Sequence, residues 1–218
     1  MEINRTVNTS SKKNGLVYHD MRNHIKLDEE IYDTFSKKCD ATNKHSLHVA
    51  EYTLALCKEL GMEYLDADRI ADAALLHDIG KIVIPSEILL KTDALTDEEY
   101  NVMKQHGVYG YVLLIATGDP FLKLAAQIAR EHHEHVDGNG YIGLKDEEIC
   151  FPAKIVAVAD VFDALLTRRC YKEMWSYDKA YNYILEESGK QFDPEVVDAF
   201  VRAQDEIKRI YQAIQEEE

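Results

Sequence analysis

Cysteine is scarce in this sequence, and its few copies are far apart. Four cysteines occur among 218 residues, with no CxxC pair and no dense spacing: Cys39, Cys57, Cys150 and Cys170. This pattern argues against a disulfide scaffold and against a zinc site built from thiolates. We therefore expect a protein that works in a reducing cytoplasm.

Long apolar runs are missing as well. No stretch approaches the roughly 18 consecutive apolar residues that a membrane helix needs, and residues 1–15 are polar, without the apolar core of a signal peptide. We expect no membrane partner.

Glycine and proline are infrequent, at 10 and 4 copies, while 46% of the residues are hydrophobic and 30% are charged. These proportions are ordinary for a globular protein and exclude collagen-like or wholly disordered chains.

Positive charge is in deficit. The chain has 25 Lys and Arg residues against 40 Asp and Glu residues, which gives a formal net charge of −15. Such a surface repels phosphate backbones, so we expect no polymeric nucleic acid as a partner. The simplest interpretation of the excess is a solvated acidic exterior.

Helical periodicity is what the sequence has in abundance. Residues 1–25 are polar and lack periodicity, which predicts a flexible or weakly ordered arm. Residues 26–218 are predicted to form one all-α domain, with DGNGYIG at 137–143 as the strongest loop signal. The predicted helices cover residues 26–39, 43–60, 66–78, 96–106, 107–117, 120–134, 152–168, 177–188 and 194–214. No convincing strand pattern appears.

Two polar side chains interrupt a helix that should be buried. The segment ADAALLHD, residues 71–78, has apolar residues on nearly every side, so His77 and Asp78 interrupt an apolar surface. A buried carboxylate needs a cation, a hydrogen-bond network or a metal ion, because burying it alone costs several kcal/mol. Taken alone, such a His and Asp pair indicates a structural role more often than a metal site.

The same pattern recurs on other predicted helices. Six more polar residues share faces with apolar residues: His45, His106, His132, His133, Asp160 and Asp163. Imidazole and carboxylate groups together are the ligands of Mn, Fe, Co, Ni or Zn. The sequence therefore predicts a buried metal cluster, with a hydrogen-bonded polar core as the alternative.

These residues also carry a resemblance to a known family. His77 to Lys81, HDIGK, resembles the HDxGK signature of the HD phosphohydrolase superfamily, and HHEHVDGNGY at 132–141 resembles the HHExxDGxGYP motif of its HD-GYP branch. Residues 159–172 and 191–200 are similar to the closing segments of that branch, and the resemblance covers about 43–202. HD-GYP proteins are bacterial phosphodiesterases of cyclic di-GMP and related cyclic dinucleotides. Several motifs in the expected order make the resemblance specific.

The resemblance implies a helical bundle with a dinuclear metal site in its core. It implies two divalent ions, Fe or Mn first, with Ni, Co, Zn or Mg as further candidates. One ion would take His45, His77 and Asp160, the other would take His106, His132 and His133, and Asp78 would bridge the two. Asp163 then becomes a supporting or structural residue. Glu134 is interpreted as part of an exposed helix end that could orient a ligand histidine, and His48 as a surface or packing residue.

The resemblance further implies hydrolysis of cyclic di-GMP to pGpG, with continued hydrolysis to GMP left open. Asp78 and Lys81 are the expected catalytic residues, with Lys81 stabilising charge on the phosphoryl oxygens. Arg169 and Lys172 are expected to bind the second phosphate. The expected substrate loop contains Asp137, Gly138, Gly140 and Tyr141, whose glycines would allow close backbone approach.

The sequence departs from the family pattern at three positions. Ala41 occupies the place where some members carry a Glu that holds a third metal, so we expect two ions. Ile142 and Cys170 replace family prolines, which puts the substrate loop and the preferred cyclic dinucleotide in question. The alternatives are an HD phosphohydrolase acting on cyclic GMP-AMP or another nucleotide, and a module that binds cyclic dinucleotides without hydrolysis. A regulatory protein or a second copy, paired through the last helix, is a further expected partner.

Overall fold

The computed structural model describes residues 12–13, 16–17, 40–167 and 174–217. Its α-helices are α1 (Asp40–Glu59), α2 (Tyr64–Ala74), α3 (Ser86–Leu89), α4 (Asp97–Met103), α5 (His106–Ile115), α6 (Pro120–Glu131), α7 (Phe151–Leu166), α8 (Tyr177–Glu186), α9 (Pro194–Arg202) and α10 (Gln204–Glu217). Short 3₁₀ helices cover Ile79–Val83 and Asp146–Glu148.

The all-α fold class is confirmed. The extended elements among the described residues are short: β1 (Lys12–Lys13) pairs antiparallel with β2 (Leu16–Val17), with Lys12 opposite Val17. The predicted arm over residues 1–25 lies largely outside the described residues, and the predicted helix over 26–39 lies wholly outside them, so both stay predictions. In the described part of the chain, no helix is both long enough and apolar enough to cross a bilayer.

Helix α7 forms the centre of the bundle. Its sequence is apolar on nearly every side, and most of its side chains are buried, including Ile155, Val158 and Phe162. Helix α1 packs against both α7 and α2, so the core lies between these helices. Because α7 has almost no solvent-facing side, its two aspartates, Asp160 and Asp163, are buried with it.

Small residues let α5 approach the chain that follows α2. An added Cβ at Gly80 would lie 1.8 Å from the carbonyl oxygen of His106, and one at Gly110 would lie 3.0 Å from the Cβ of Ala129 on α6. Side chains at these positions would separate the elements. The close packing places the start of α5 directly beside the turn that carries His77 and Asp78.

Several predicted helices end earlier than their periodicity suggests. Helix α2 stops at Ala74, and the backbone continues through tighter i to i+3 bonds, such as His77 N–H to the Ala74 carbonyl at 3.1 Å. The predicted helix 194–214 is interrupted once, at Ala203, between α9 and α10. The predicted capping box of α4 is confirmed, with Thr96 and Glu99 each accepting the other's backbone N–H.

Candidate metal centre

Polar side chains from five parts of the chain converge in the interior. They come from α1, the turn after α2, the start of α5, the end of α6 and the middle of α7. Their donor atoms form three overlapping groups, and the atoms of each group lie within 4.8 Å of one another. The groups are Asp78, His106, His132 and His133; His45, His77 and Asp78; and His77, His132 and Asp160. The structure thus brings all the predicted ligand side chains together.

The early end of α2 fixes the orientation of His77. Because the helix stops at Ala74, the carbonyl of Ala74 accepts the Nδ1–H of His77 at 2.7 Å. In the neutral tautomer that makes this bond, Nε2 carries no proton; it lies 3.4 Å from Asp78 Oδ2 and 3.9 Å from Asp160 Oδ1. The Nε2 atom is fully buried and has no hydrogen-bond partner among the described residues.

His106 and His132 are oriented by the same device. The Nδ1–H of His106 donates to the Met103 carbonyl at 2.8 Å, and that of His132 donates to the Ile128 and Ala129 carbonyls at 3.1 and 3.0 Å. The two Nε2 atoms lie 3.5 Å apart. Burial lowers the pKa of both imidazoles, so they are neutral near pH 7 and their lone pairs face each other.

His45 lies between two carboxylates of α7. Its Nδ1–H donates to Asp163 at 2.6 Å, and its Nε2 lies 3.0 Å from Asp160. Burial lowers the pKa of His45, but the hydrogen bonds with Asp160 and Asp163 outweigh it and raise the pKa to about 10. Burial raises the pKa of Asp163, yet its bonds with His45 and His48 lower it to about 2.

Asp163 therefore supports the cluster by accepting a hydrogen bond from His45, in the role expected for it. The interpretation of His48 as a surface or packing residue missed a contact, because His48 Nδ1–H donates to the other oxygen of Asp163 at 3.1 Å. A signal was available in the sequence: His48 follows His45 by three residues and shares its face of α1.

Asp78 holds the middle of the cluster. One of its oxygens pairs with the ammonium group of Lys81, and the other, Oδ1, lies 3.3 Å from His106 Nε2. Burial raises the pKa of Asp78, but Lys81 and His77 outweigh it and hold the pKa well below its usual range. Oδ1 is buried and has no hydrogen-bond partner in the described part of the chain.

These atoms fit a divalent cation. A buried carboxylate oxygen and a buried imidazole nitrogen, Asp78 Oδ1 and His77 Nε2, are both unpaired, which is costly unless a cation lies among them. The neutral imidazoles of His106 and His132 are in the state in which metals bind, whereas His45 must first lose a proton. The donor set of nitrogen and oxygen without sulfur suits divalent ions of the Mn to Zn series.

The predicted substrate loop lies at the edge of the cluster. The Tyr141 ring lies 4.5 Å from the ring of His133, centroid to centroid. Asp137 accepts two bonds from Asn139 within the loop, both at 2.9 Å. The predicted phosphate ligands Arg169 and Lys172, together with Cys170, lie outside the described residues.

The glycines of this loop contact the protein's own chain. Gly138 has a φ of +88°, and a Cβ there would lie 2.8 Å from the Lys145 side chain. A Cβ at Gly140 would lie 2.5 Å from the Cα of Glu134. These glycines thus allow the loop backbone to pass close to other parts of the same chain. A close approach of the loop to a substrate stays a prediction.

The interpretation of Glu134 as an exposed helix end was wrong. Helix α6 ends at Glu131, and Glu134 is buried, with 3% of its surface exposed. Its carboxylate accepts three backbone N–H groups, from Ile142, Gly143 and Leu144, each at 2.8 Å. Glu134 therefore holds the loop and not a ligand histidine. Sequence periodicity could not reveal this, because the partners are backbone groups.

The fold and the cluster together define a helical domain that gathers metal-ligating side chains in its core. A family model described as "HD domain" matches residues 29–196, and the chain belongs to this HD domain family, in its HD-GYP branch. The family expected from the two motifs is confirmed.

Relatives with assigned activities are similar over most of this chain. The chain is 43% identical over 191 residues to a cyclic di-GMP phosphodiesterase of Thermotoga maritima. The match covers 87% of this chain and 52% of that protein. It is 47% identical over 156 residues to the cyclic di-GMP phosphodiesterase response regulator RpfG of Xanthomonas campestris, covering 71% of this chain and 41% of the relative. The chain thus spans about half or less of the length of these relatives.

A solved structure supports the same fold. Bd1817, a HDG"Y"P protein from Bdellovibrio bacteriovorus, matches with a TM-score of 0.61 over 77% of this chain and 52% of that chain, at 20% sequence identity. Another sequence relative, a 3′3′-cGAMP-specific phosphodiesterase 2 of Vibrio cholerae, is 35% identical over 76% of this chain and 32% of its own length. The relatives thus include proteins named for two different cyclic dinucleotides.

Proposed function

We propose that the chain is a metal-dependent phosphodiesterase that hydrolyses cyclic di-GMP to linear pGpG. The observation that carries the proposal is the buried cluster, whose unpaired Asp78 Oδ1 and His77 Nε2 call for a cation. The activities named for the Thermotoga and Xanthomonas relatives support the choice of substrate. Continued hydrolysis to GMP, a cytoplasmic location and a regulatory or homodimeric partner stay predictions.

The cluster is proposed to hold two ions, Fe or Mn. His45, His77 and Asp160 would hold one ion, and His106, His132 and His133 would hold the other. Asp78 has an oxygen close to each histidine set, which suits a shared ligand. We favour two ions over one because the ligand atoms form more than one group that could hold an ion. Asp78 belongs both to the group with His106, His132 and His133 and to the group with His45 and His77.

The chain's own residues would bind and orient the substrate. Bound divalent ions supply Lewis-acid polarisation of the phosphodiester oxygens and a water nucleophile of lowered pKa. Lys81 places a positive charge beside Asp78, with its side chain 23% exposed, so its ammonium group can reach a phosphoryl oxygen in the site. Tyr141 offers a ring next to His133, against which a ribose or base can pack.

A substrate panel tests the proposal. Protein purified without oxygen is loaded with Mn or Fe(II), its metal content is measured, and cyclic di-GMP and 3′3′-cyclic GMP-AMP are followed by chromatography. We expect pGpG from cyclic di-GMP. Absence of turnover with two ions bound would overturn the proposed activity and leave a binding module.

A second substrate, cyclic GMP-AMP, is suggested by the name of one relative, and one residue bears on the choice. Ile142 stands where the family motif has proline; it follows Tyr141 in the loop and is 43% exposed. One relative is named as a 3′3′-cGAMP-specific phosphodiesterase, so cyclic GMP-AMP is the alternative substrate to test. Faster turnover of cyclic GMP-AMP than of cyclic di-GMP in the same panel would assign the chain to that substrate.

A further inference from the structure

Glu134 is a buried acidic residue that neither the cluster nor the proposed chemistry uses. Its Oε1 accepts the N–H of Ile142, and its Oε2 accepts those of Gly143 and Leu144, all at 2.8 Å. Only 3% of the residue is exposed. Three donors on one buried carboxylate form a strong set, since hydrogen bonds to an ionised acceptor are roughly twice as strong as neutral ones.

The loop that supplies these donors is closed at its base. Asp146 N–H donates to the Val136 carbonyl at 3.2 Å, and Asp137 N–H donates to the Lys190 carbonyl at 3.0 Å. At Gly140 the loop passes so close to Glu134 that no Cβ would fit. Residues 136–146, which we name the clamp loop, therefore fold back over Glu134, and the carboxylate occupies the inside of the bend.

The clamp loop positions one aromatic ring against the cluster. Tyr141 immediately precedes the three donors, and its ring lies 4.5 Å from that of His133 and 6.3 Å from that of His106. Its hydroxyl accepts a hydrogen bond from the hydroxyl of Tyr100, at 3.3 Å. That contact is exposed, so the buried bonds to Glu134 are the stronger restraint on the ring.

Ile142 contributes to this arrangement through its backbone. The residue is 43% exposed, whereas its N–H donates to the buried carboxylate of Glu134. Proline has no N–H and could not make this bond. The isoleucine in this chain therefore provides Oε1 of Glu134 with a donor that a proline in its place would lack.

We propose that Glu134 is a positioning residue whose carboxylate folds the clamp loop and thereby fixes Tyr141 as one wall of the metal site. The loss of this carboxylate loosens the loop while the metal ligands stay in place, because no bond of Glu134 reaches a ligand side chain. The kinetic consequence, weaker substrate binding with the chemistry retained, rests on the proposed function. The folding of the loop does not.

Hydrogen exchange in the whole 218-residue chain with its metal bound tests the loop directly. Glu134→Gln keeps the side-chain shape and removes the charge and one acceptor. We expect the amides of residues 142–144 to exchange at least about tenfold faster than in the wild type. Wild-type exchange rates at these amides in Glu134→Gln would overturn the proposal.

Glu131→Gln is the matched control. Glu131 is also buried, at 5% exposure, and its carboxylate accepts one backbone N–H, from Cys150 at 2.8 Å, at the start of α7. We expect this variant to leave the exchange of residues 142–144 unchanged. Equal acceleration in both glutamine variants would mean general loosening and would overturn the specific role of Glu134.

A backbone variant keeps the test decisive if Glu134→Gln does not fold. Ile142→Pro removes one donor, and Ile142→Ala removes most of the side chain but keeps that donor. We expect faster exchange at Gly143 and Leu144, by about threefold, in the proline variant alone. Identical exchange in the two variants would contradict the proposal.

Steady-state kinetics completes the test. In Glu134→Gln we expect KM for the cyclic dinucleotide to rise several-fold, with kcat and bound metal close to wild type. A loosened loop with an unchanged KM would overturn the positioning role. An inactive wild type would overturn the proposed function, and the exchange data would still decide the folding of the loop.

Discussion

The metal cluster and the clamp loop lie side by side but are held in opposite ways. In the cluster, backbone carbonyls at helix ends orient side chains, as the Ala74 carbonyl orients His77. In the loop, one side chain, Glu134, orients three backbone N–H groups. We therefore expect substitutions in the cluster to affect binding of the proposed ions, and substitutions in the loop to affect binding of the proposed substrate.

Removal of a cluster ligand is expected to have the largest effect. His77→Ala deletes a buried ligand atom, so metal retention and hydrolysis should both be lost. Loss of a residue that only supports a ligand lowers metal affinity by about 10- to 100-fold, and we expect a larger fall here. Metal analysis and product chromatography measure the two losses. Leu76→Ala, in the same turn, is the packing control and should keep its metal. Retained metal in His77→Ala would contradict the ligand assignment.

Lys81→Ala should separate chemistry from metal binding. Lys81 pairs with Asp78 but donates no ligand atom, so we expect near wild-type metal content and a kcat lowered by about 10²- to 10³-fold, the usual cost of one lost charge-stabilising donor. Lys91→Ala is the matched control, since Lys91 is similarly exposed and pairs with Glu99 outside the cluster. Loss of metal from Lys81→Ala would show a structural role instead.

Asp163→Asn should weaken the cluster without removing a ligand. The amide cannot accept charged hydrogen bonds from His45 and His48 as the carboxylate does, so metal affinity should fall by about 10- to 100-fold. Competition with a chelator measures it. Asp193→Asn, which changes a buried acid paired with Lys154, is the control. Equal losses in both variants would argue against a specific support of His45.

Protons should compete with metal at His45. Its pKa of about 10 lies above its ordinary value of 6.5, so binding must release a proton below about pH 10, and affinity should rise with pH by up to tenfold per unit. In the metal-free protein the same shift stabilises the fold fully below about pH 6.5, and this contribution is lost as pH rises through about 10. Metal titrations at several pH values, and the melting temperature of the metal-free protein, measure the two trends. A pH-independent affinity would contradict the proposed competition.

Tyr141→Phe is expected to give the smallest change. It removes the exposed bond to Tyr100 and keeps the ring beside His133, so the free energy of unfolding should fall by at most about 0.5 to 1.5 kcal/mol. KM should stay close to wild type. Tyr141→Ala, which removes the ring, should raise KM. Equal KM values for both variants would mean that the ring is not a wall of the site.

The cluster could be predicted from sequence because its residues break a pattern. His132 and His133 extend apolar rows of one helix, and Asp160 lies on a helix that is otherwise apolar, so burial followed from periodicity alone. The motifs then added the division into two ligand sets. What periodicity could not supply is the end of α2 at Ala74, because the apolar pattern continues through Leu75 and Leu76.

The clamp loop was only partly predictable. Its position follows from the glycines and Asp137, which mark a turn. The role of Glu134 was misjudged because a charged residue after an amphipathic helix is usually solvated, and its partners are backbone N–H groups that leave no trace in residue types. His48 was missed for a different reason: its position three residues after His45 placed it on the same face of α1, but a single histidine next to a predicted ligand was read as solvent-facing.

Two bound ions, with hydrolysis that depends on both, are the property on which the proposed function rests. Metal-free protein is titrated anaerobically with Mn or Fe(II), and bound metal per chain and the rate of pGpG formation from cyclic di-GMP are measured on the same samples. We predict saturation near two ions per chain, with activity appearing as the second ion binds. Full activity with one ion or none, or no activity with two, would contradict it.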